Sequence, residues 1–210
     1  MTNHIVGVIL AGGLATRMGG GDKCLKELAS GSTLLDVVIS RILGQVSDVA
    51  LNANGDPERF SRFNMPVLSD AIEGYAGPLA GILAGLEWAE IQGASHVLSV
   101  AGDTPFFPLD LLAALRQNGS PSGLSIAASS DEGGKLWRQP TFGLWPVSLK
   151  DDLKRALTTE GVRKIVAWTD RHGAGQAFFE SDDGLDPFFN VNTPDDLDRA
   201  RKIARQRELV

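Results

Sequence analysis

The residues of this chain best suited to chemistry lie between Leu10 and Lys23, in the stretch LAGGLATRMGGGDK. Glycines 12, 13, 19, 20 and 21 surround one arginine, Arg17, and the stretch ends on Asp22 and Lys23. Glycine admits positive φ and lets a ligand approach the main chain with no Cβ in the way. Successive peptide N–H groups in such a loop form a concavity that favours anions. Arg17 adds a planar fork matched to phosphate oxygens, and Lys23 a compact positive charge. The physical reading is a polyphosphate-binding loop. The alternative is a flexible surface turn, but a plain turn rarely needs so many glycines with two interleaved cations.

Two well-known glycine-rich templates are excluded. The spacing G-x-G-x-x-G of a dinucleotide fingerprint does not occur here, and the Gly134-Lys135 pair is followed by Leu136 and lacks the upstream glycine of a Walker A loop. Nor is there a G-x-S-x-G elbow, a C-x-x-C or an H-E-x-x-H, so acyl transfer and zinc hydrolysis lack their parts.

The elements that must position the loop alternate between strand and helix, which predicts a mostly parallel α/β sheet covered on both faces. Ile5 to Leu10 is a short apolar run that reads as a buried strand entering the loop. Leu34, Val37, Val38 and Ile42 recur at helical spacing over 34–43. Asp48 to Ala53 is a second strand, followed by Asp56-Pro57 as an N-cap with proline at the first helical position. Pro66 to Asp70 is a third strand, 74–93 a helix with Pro78 in its first turn, and Ser95 to Ala101 a central strand. Strands over 124–129 and 137–145, joined by a turn at 131–134, precede helices over 148–158, from about 162, and over 195–207 with Thr193 as N-cap.

Gly12, Asn52, Asp70 and Asp103 each fall at or just past the end of a predicted strand, the edge where open α/β sheets bind ligands. Asn52 offers donor and acceptor and Asp70 accepts two donors, so together they suit a purine edge or a ribose. Turn or cap chemistry is the competing reading for each. Pro105 keeps Thr104 extended, so Asp103 leaves the strand without entering a helix and reads as a ligand for a hard cation. Gly77 opens the next helix, where N–H groups point outward and favour anions. Gly81 and Gly85 inside that helix suggest close approach to its face, with tight packing on the sheet an equal reading for Gly85.

No general base is evident, and the chemistry does not require one if the nucleophile is a phosphate monoester. Its second pKa lies near ~6, so it is largely dianionic at neutral pH. Mg²⁺ takes oxygen ligands and keeps waters, so one carboxylate plus substrate phosphates suffice to hold it. Transfer of a nucleotidyl group to a phosphate fits this inventory.

The chain has 210 residues, 43% hydrophobic content and a formal charge of −6, suited to one α/β domain spanning 1–210. The acidic balance argues against nucleic acid or an anionic membrane as partner. No apolar run approaches the ~18 residues of a membrane span and no signal peptide is evident, so a cytoplasmic location is expected. The single cysteine, Cys24, excludes an internal disulfide; beside Lys23 it reads either as a thiol of lowered pKa or, more simply, as a small buried apolar residue.

LAGG-x-x-x-RM-GG-x-DK resembles the signature of the molybdenum cofactor guanylyltransferases, a MobA-type nucleotidyltransferase family. The similarity continues in order through Asp70, Gly77-Pro78-Leu79-Ala80-Gly81, Gly102-Asp103-Thr104-Pro105 and Asn190-Val191-Asn192-Thr193-Pro194. It implies a single-domain Rossmann-like nucleotidyltransferase fold, GTP as donor and the terminal phosphate of molybdopterin as acceptor. By this resemblance Leu10, Ala11, Gly12, Gly13, Lys23, Asn52, Asp70 and Asp103 hold the nucleotide, and Arg17, Lys23 and Asp103 are catalytic. Asp103 holds Mg²⁺, with Asn192 a second candidate ligand. Gly77, Pro78, Asn190 and Asn192 serve the acceptor, and 138–141 either faces it or forms a plain strand edge. Other cofactor-biosynthesis proteins or chaperones of apo-molybdoenzymes are the protein partners implied. Related transferases using CTP carry a similar loop, and Gly12-Gly13 favours the guanine branch. A non-catalytic nucleotide-binding adaptor is the reading outside enzymes.

Overall fold

The computed structural model describes residues 4–12, 20–29, 31–72, 77–130, 134–181 and 184–207. Elements in chain order are β1 (Ile5–Leu10), β2 (Glu27–Ala29), β3 (Ser32–Thr33), α1 (Leu34–Leu43), β4 (Val49–Asn52), β5 (Val67–Leu68), α2 (Pro78–Ile91), β6 (His96–Ala101), α3 (Leu111–Gln117), β7 (Ser125–Ser130), β8 (Leu136–Pro146), α4 (Lys150–Thr158), α5 (Ile165–Arg171), β9 (Gly175–Phe179) and α6 (Pro194–Gln206). Short 3₁₀ turns at Lys23–Leu25, Pro57–Phe63 and Val147–Leu149 link them.

Seven strands form one sheet in the order β5-β4-β1-β6-β8-β7-β9, and β2 with β3 makes a separate hairpin. Only β8 breaks the parallel pattern, pairing antiparallel with β6 and β7. Alternation along β1 explains the layering. Ile5 and Ile9 face a core shared with α1 and α3, whereas Val6 and Val8 face one shared with α2, α4 and α5. A third cluster, containing Leu28, Val191, Leu197 and Ala200, seats α6 on the β2–β3 hairpin.

The connections create the cleft. After β1 the chain crosses one face through α1 to β4 and β5, then returns over the other face through α2 to β6 on β1's opposite side. Loops leaving the ends of β1 and β6 therefore diverge, opening a crevice where the strand order reverses. Close contact at its base is enforced at Gly102, whose amide donates to Leu10 O at 3.0 Å. A Cβ there would lie 3.2 Å from the Cys24 Cβ and 3.3 Å from Leu10 O.

Caps close three helix or turn starts, of which those at Asp56 and Thr193 follow the sequence expectation and that at Thr33 is added by the structure. Thr33 and Asp36 form a reciprocal capping box on α1, and Thr193 and Asp196 do the same on α6 behind Pro194. Asp56 accepts from Glu58 N ahead of Pro57, although the turn that follows is 3₁₀ and not α-helical. Three features were not expected. The two strands of the β2–β3 hairpin have three and two residues and α3 only seven, and the edge strand β9 alternates buried and exposed positions over five. Elements this short carry too few periods to stand out. Residues 131–133 of the expected β7–β8 turn lie outside those described.

Candidate functional site

A cavity of about 390 Å³ opens at the C-terminal ends of β1, β4 and β6. Leu10, Gly12, Asn52, Asp70, Gly77, Pro78, Asp103 and Asn190, all anticipated from sequence, line it, together with Asn54, Ala101 and Thr141. Two expected loop residues, Gly13 and Arg17, lie outside the described residues. Ala11 is buried in the core beneath the loop, and its N–H donates to Asn52 O at 2.8 Å, so it joins the strand ends instead of lining the cavity.

On one side stands a wall of tied amides and one carboxylate. Asn52, only 5% exposed, donates from Nδ2 to Leu68 O and to Asp70 Oδ1, both at 3.1 Å. Asn54 Nδ2 donates to Asp70 Oδ2 at 2.7 Å, and its Oδ1 accepts from Asp70 N at 2.8 Å. Asp70 is thus fixed at both carboxylate oxygens and at its amide. Gly81 explains how α2 can pass so close. A Cβ there would lie 2.1 Å from Asn52 Oδ1, so only glycine leaves the Asn52 amide its place. A Cβ at Gly85, one turn on, would meet Val8 side-chain atoms from 3.0 Å, which is helix-on-sheet packing.

Gly12 and Gly77 behave oppositely. Among the described residues a Cβ at either would meet nothing within 4 Å, and neither lies in the left-handed region, Gly77 being extended at φ 166°. Packing does not demand glycine at these two cavity-lining positions.

Asp103, which lines the cavity, belongs to a charged cluster whose Lys23 and Asn192 are not themselves among the lining residues. Lys23 Nζ sits 2.5 Å from Asp103 Oδ2 and donates to Asn192 Oδ1 at 2.6 Å. The Lys23 side chain is 12% exposed and that of Asp103 18%, so the pair is shielded more than a surface bridge. Val191 N donates to Asp103 O at 3.0 Å, which ties the Asn190–Asn192 segment to the end of β6. Asp196 holds the same segment from below through the amides of Asn192 and Thr193. Burial raises the Asp196 pKa, but bonds from Thr193 and from these two amides outweigh it and hold the carboxyl below its ordinary range.

Thr141 reaches the cavity because β8 is pinned and bulged there. Trp145 Nε1 donates to Ser99 Oγ at 2.7 Å, Ser99 Oγ donates to Thr141 O at 2.8 Å, and the register with β7 slips between Ile126 and Ala127. Of the remaining 138–141 residues, Arg138 turns to Asp170 on α5 at 2.5 Å and Gln139 donates to Ser129 Oγ.

The donor set suits one kind of metal. Among the described residues no group of three or more His, Cys, Asp or Glu could cage an ion. Asp103 with a neighbouring asparagine carbonyl matches Mg²⁺, which needs only a carboxylate or two when substrate phosphates and waters complete its octahedron. Among the described residues zinc lacks the three or four nitrogen, sulfur or carboxylate ligands it takes.

Comparison with known proteins follows the same lines. A family model described as the MobA-like NTP transferase domain matches residues 7–174. The chain belongs to this family. A molybdenum cofactor guanylyltransferase of Mesorhizobium japonicum is 50% identical over 207 residues, covering 97% of each chain. One from Rhodopseudomonas palustris is 46% identical, covering 94% of this chain and 91% of its own. Among solved structures, molybdopterin-guanine dinucleotide biosynthesis protein A from Archaeoglobus fulgidus superposes with a TM-score of 0.70 at 25% identity, over 96% of this chain and 99% of that one. A 4-diphosphocytidyl-2C-methyl-D-erythritol synthase from Anaerococcus prevotii shares the fold at 14% identity, with a TM-score of 0.68 over 97% and 96% of the two chains.

For a MobA-like transferase the structure adds residues that local motifs did not mark. Asn54 lies just past the end of β4, where no local spacing marks a role, yet it orients Asp70. Cys24 resolves to the simpler of its two readings. It is buried, its Sγ lies 3.7 Å from Ala11 O, and burial followed by the charges of Asp22 and Asp103 pushes its pKa up to about 12. No described helix is long and apolar enough to cross a membrane.

Proposed function

We propose that this chain transfers the guanylyl group of GTP to the terminal phosphate of molybdopterin. A phosphate oxygen of the acceptor attacks the α-phosphorus, the bond to the bridging oxygen of the β-phosphate breaks, and pyrophosphate leaves with that electron pair. The acceptor needs no general base because it is already largely dianionic at neutral pH. The carrying observation is the shared cavity. It is lined both by a fixed wall of hydrogen-bonding groups suited to a base or ribose and by Asp103, whose carboxylate is paired with Lys23 in a cluster suited to phosphates and a hard cation.

Asp70, held by Asn52 and Asn54, presents its remaining lone pairs as fixed acceptors for N–H or O–H groups of the nucleoside. A guanine offers N1–H and an exocyclic amine to such acceptors. Gly12 and Gly77, glycine at positions where packing asks for none, let the nucleotide lie against the main chain. The N-terminus of α2 opens on Gly77 and Pro78, and the positive end of its helix dipole favours an anion there. Entry of the triphosphate offers Lys23 new oxygens in exchange for Asp103, and Arg17 adds charge from the loop as the P–O bond breaks. Asp103 is the residue that would hold Mg²⁺, with Asn192 assisting, and Asn190 and Asn192 border the acceptor. Bound there, Mg²⁺ supplies positive charge to the phosphate oxygens. The names of the relatives at 46–50% identity support GTP and molybdopterin as the substrates.

The test is acceptor-dependent pyrophosphate release with GTP, CTP and ATP compared at equal Mg²⁺. GTP is expected to exceed the others at least tenfold in kcat/KM, because the wrong base leaves fixed polar groups unpaired. Preference for CTP would make this a cytidylyltransferase, and binding without turnover would make it an adaptor.

A further inference from the structure

Asp22 stands at the N-cap of the Lys23–Leu25 turn, yet its side chain makes no capping bond there. It turns instead to Arg59, whose Nε lies 2.9 Å from Asp22 Oδ2. That Nε is buried and, among the described residues, is the buried side-chain polar atom lacking an aligned hydrogen bond, so the Asp22 charge is what compensates its burial. The same guanidinium donates from NH2 to Asn54 O at 2.5 Å. It also lies over the Phe60 ring at 4.9 Å. Gly55, with φ of +85°, makes room for it, since a Cβ there would sit 2.9 Å from Arg59 NH1.

We propose that Arg59 is a positioning residue that locks the spacing between the nucleoside wall and the phosphate-binding lysine. One end of its fork holds the backbone of Asn54, whose side chain orients Asp70. The other holds Asp22, the residue before Lys23, which engages Asp103 and Asn192. A rigid planar group joins two loops that belong to different strand ends, and each loop carries a different part of the nucleotide's recognition. A lysine cannot reproduce this, having one point charge where the site uses a fork. The proposal rests on the reading of this cleft as a GTP site, and its test separates the two.

Arg59→Gln, Arg59→Lys, Asp22→Asn and the double variant Arg59→Gln with Asp22→Asn are compared. Readouts are the Kd of Mg–GTP by calorimetry without acceptor, the kcat and KM of pyrophosphate release, and the thermal midpoint. Each single variant is expected to weaken GTP binding and reduce kcat/KM about tenfold or more. The double variant is expected to be no worse than the more damaging single, and Arg59→Lys to fall between wild type and Arg59→Gln. Additive losses in the double variant would overturn the proposal, as would a lowered midpoint with GTP affinity and kcat within twofold of wild type. Should Arg59→Gln fail to fold, Arg59→Lys and Asp22→Asn carry the same comparison. A wild-type enzyme that binds GTP and turns nothing over would sink the transferase reading while leaving the calorimetric comparison decisive for Arg59.

Discussion

Along the wall of Asn52, Asn54 and Asp70 the side chains are tied to one another and to Leu68 O, whereas at Asp103, another carboxylate lining the cavity, Lys23 is shared between Asp103 and Asn192. The first arrangement is pre-organised. Its geometry exists before a ligand arrives, so binding there spends little on ordering side chains. The second is exchangeable, because a lysine balanced by one carboxylate can trade that partner for phosphate oxygens. The contrast assigns discrimination to the wall and charge handling to the cluster. Damage to the wall is therefore expected in affinity and base choice, and damage to the cluster in turnover.

The largest expected effect lies in the cluster. Asp103→Ala removes the carboxylate best placed to anchor Mg²⁺ near the phosphates and leaves Lys23, among the described residues, with Asn192. Turnover is expected to fall on the order of 10²-fold or more, the scale of losing one aligned electrostatic stabiliser. The fold should persist, since Asp103 lies past the end of β6 and outside the apolar cores. Pyrophosphate release over a Mg²⁺ series, with circular dichroism, separates lost metal occupancy from lost alignment. Recovery at high Mg²⁺ indicates the former. A folded variant with near-normal turnover at low Mg²⁺ would remove Asp103 from the mechanism.

A smaller and different loss is expected at the wall. Gly81→Ala leaves every polar group of the site in the chain but puts a methyl 2.1 Å from Asn52 Oδ1. Alanine favours the helix by about 1 kcal/mol over glycine, and the overlap opposes this with a penalty of about 1–3 kcal/mol. Displacing Asn52 unties Asp70, so GTP affinity is expected to drop about tenfold, near 1.4 kcal/mol. kcat at saturating GTP should change much less. Calorimetry paired with saturation kinetics reads this, and an equal loss in kcat would erase the proposed division of labour.

The two sides also differed in how far sequence revealed them. The strands β1, β4, β5 and β6 and the helices α1 and α2 follow from apolar spacing and proline positions, and the strand ends place Gly12, Asn52, Asp70 and Asp103 without any tertiary knowledge. The pairing of Lys23 with Asp103 was legible only as shared membership in one site. Arg59 and Asn54 were not legible as site residues, because their partners Asp22 and Asp70 come from other strand ends and no local spacing marks the contact. The role of Gly81 was half legible. A helical glycine signals close approach, but only the folded chain shows that the approaching group is Asn52. Segment length limited the rest, as with β9 and α3, and Gly13 and Arg17 lie outside the described residues.

The central claim is that the cavity directs a phosphate acceptor onto the α-phosphorus of GTP. GTP labelled at the α-phosphorus in one sample and at the γ-phosphorus in another, each incubated with enzyme, Mg²⁺ and molybdopterin, tests it most directly. The account predicts that the α-label appears in a pterin–guanine dinucleotide and the γ-label in pyrophosphate, in equal amounts and only with acceptor present. Release of the γ-label as inorganic phosphate with the α-label left in GDP would mean cleavage at the wrong bond and would contradict it.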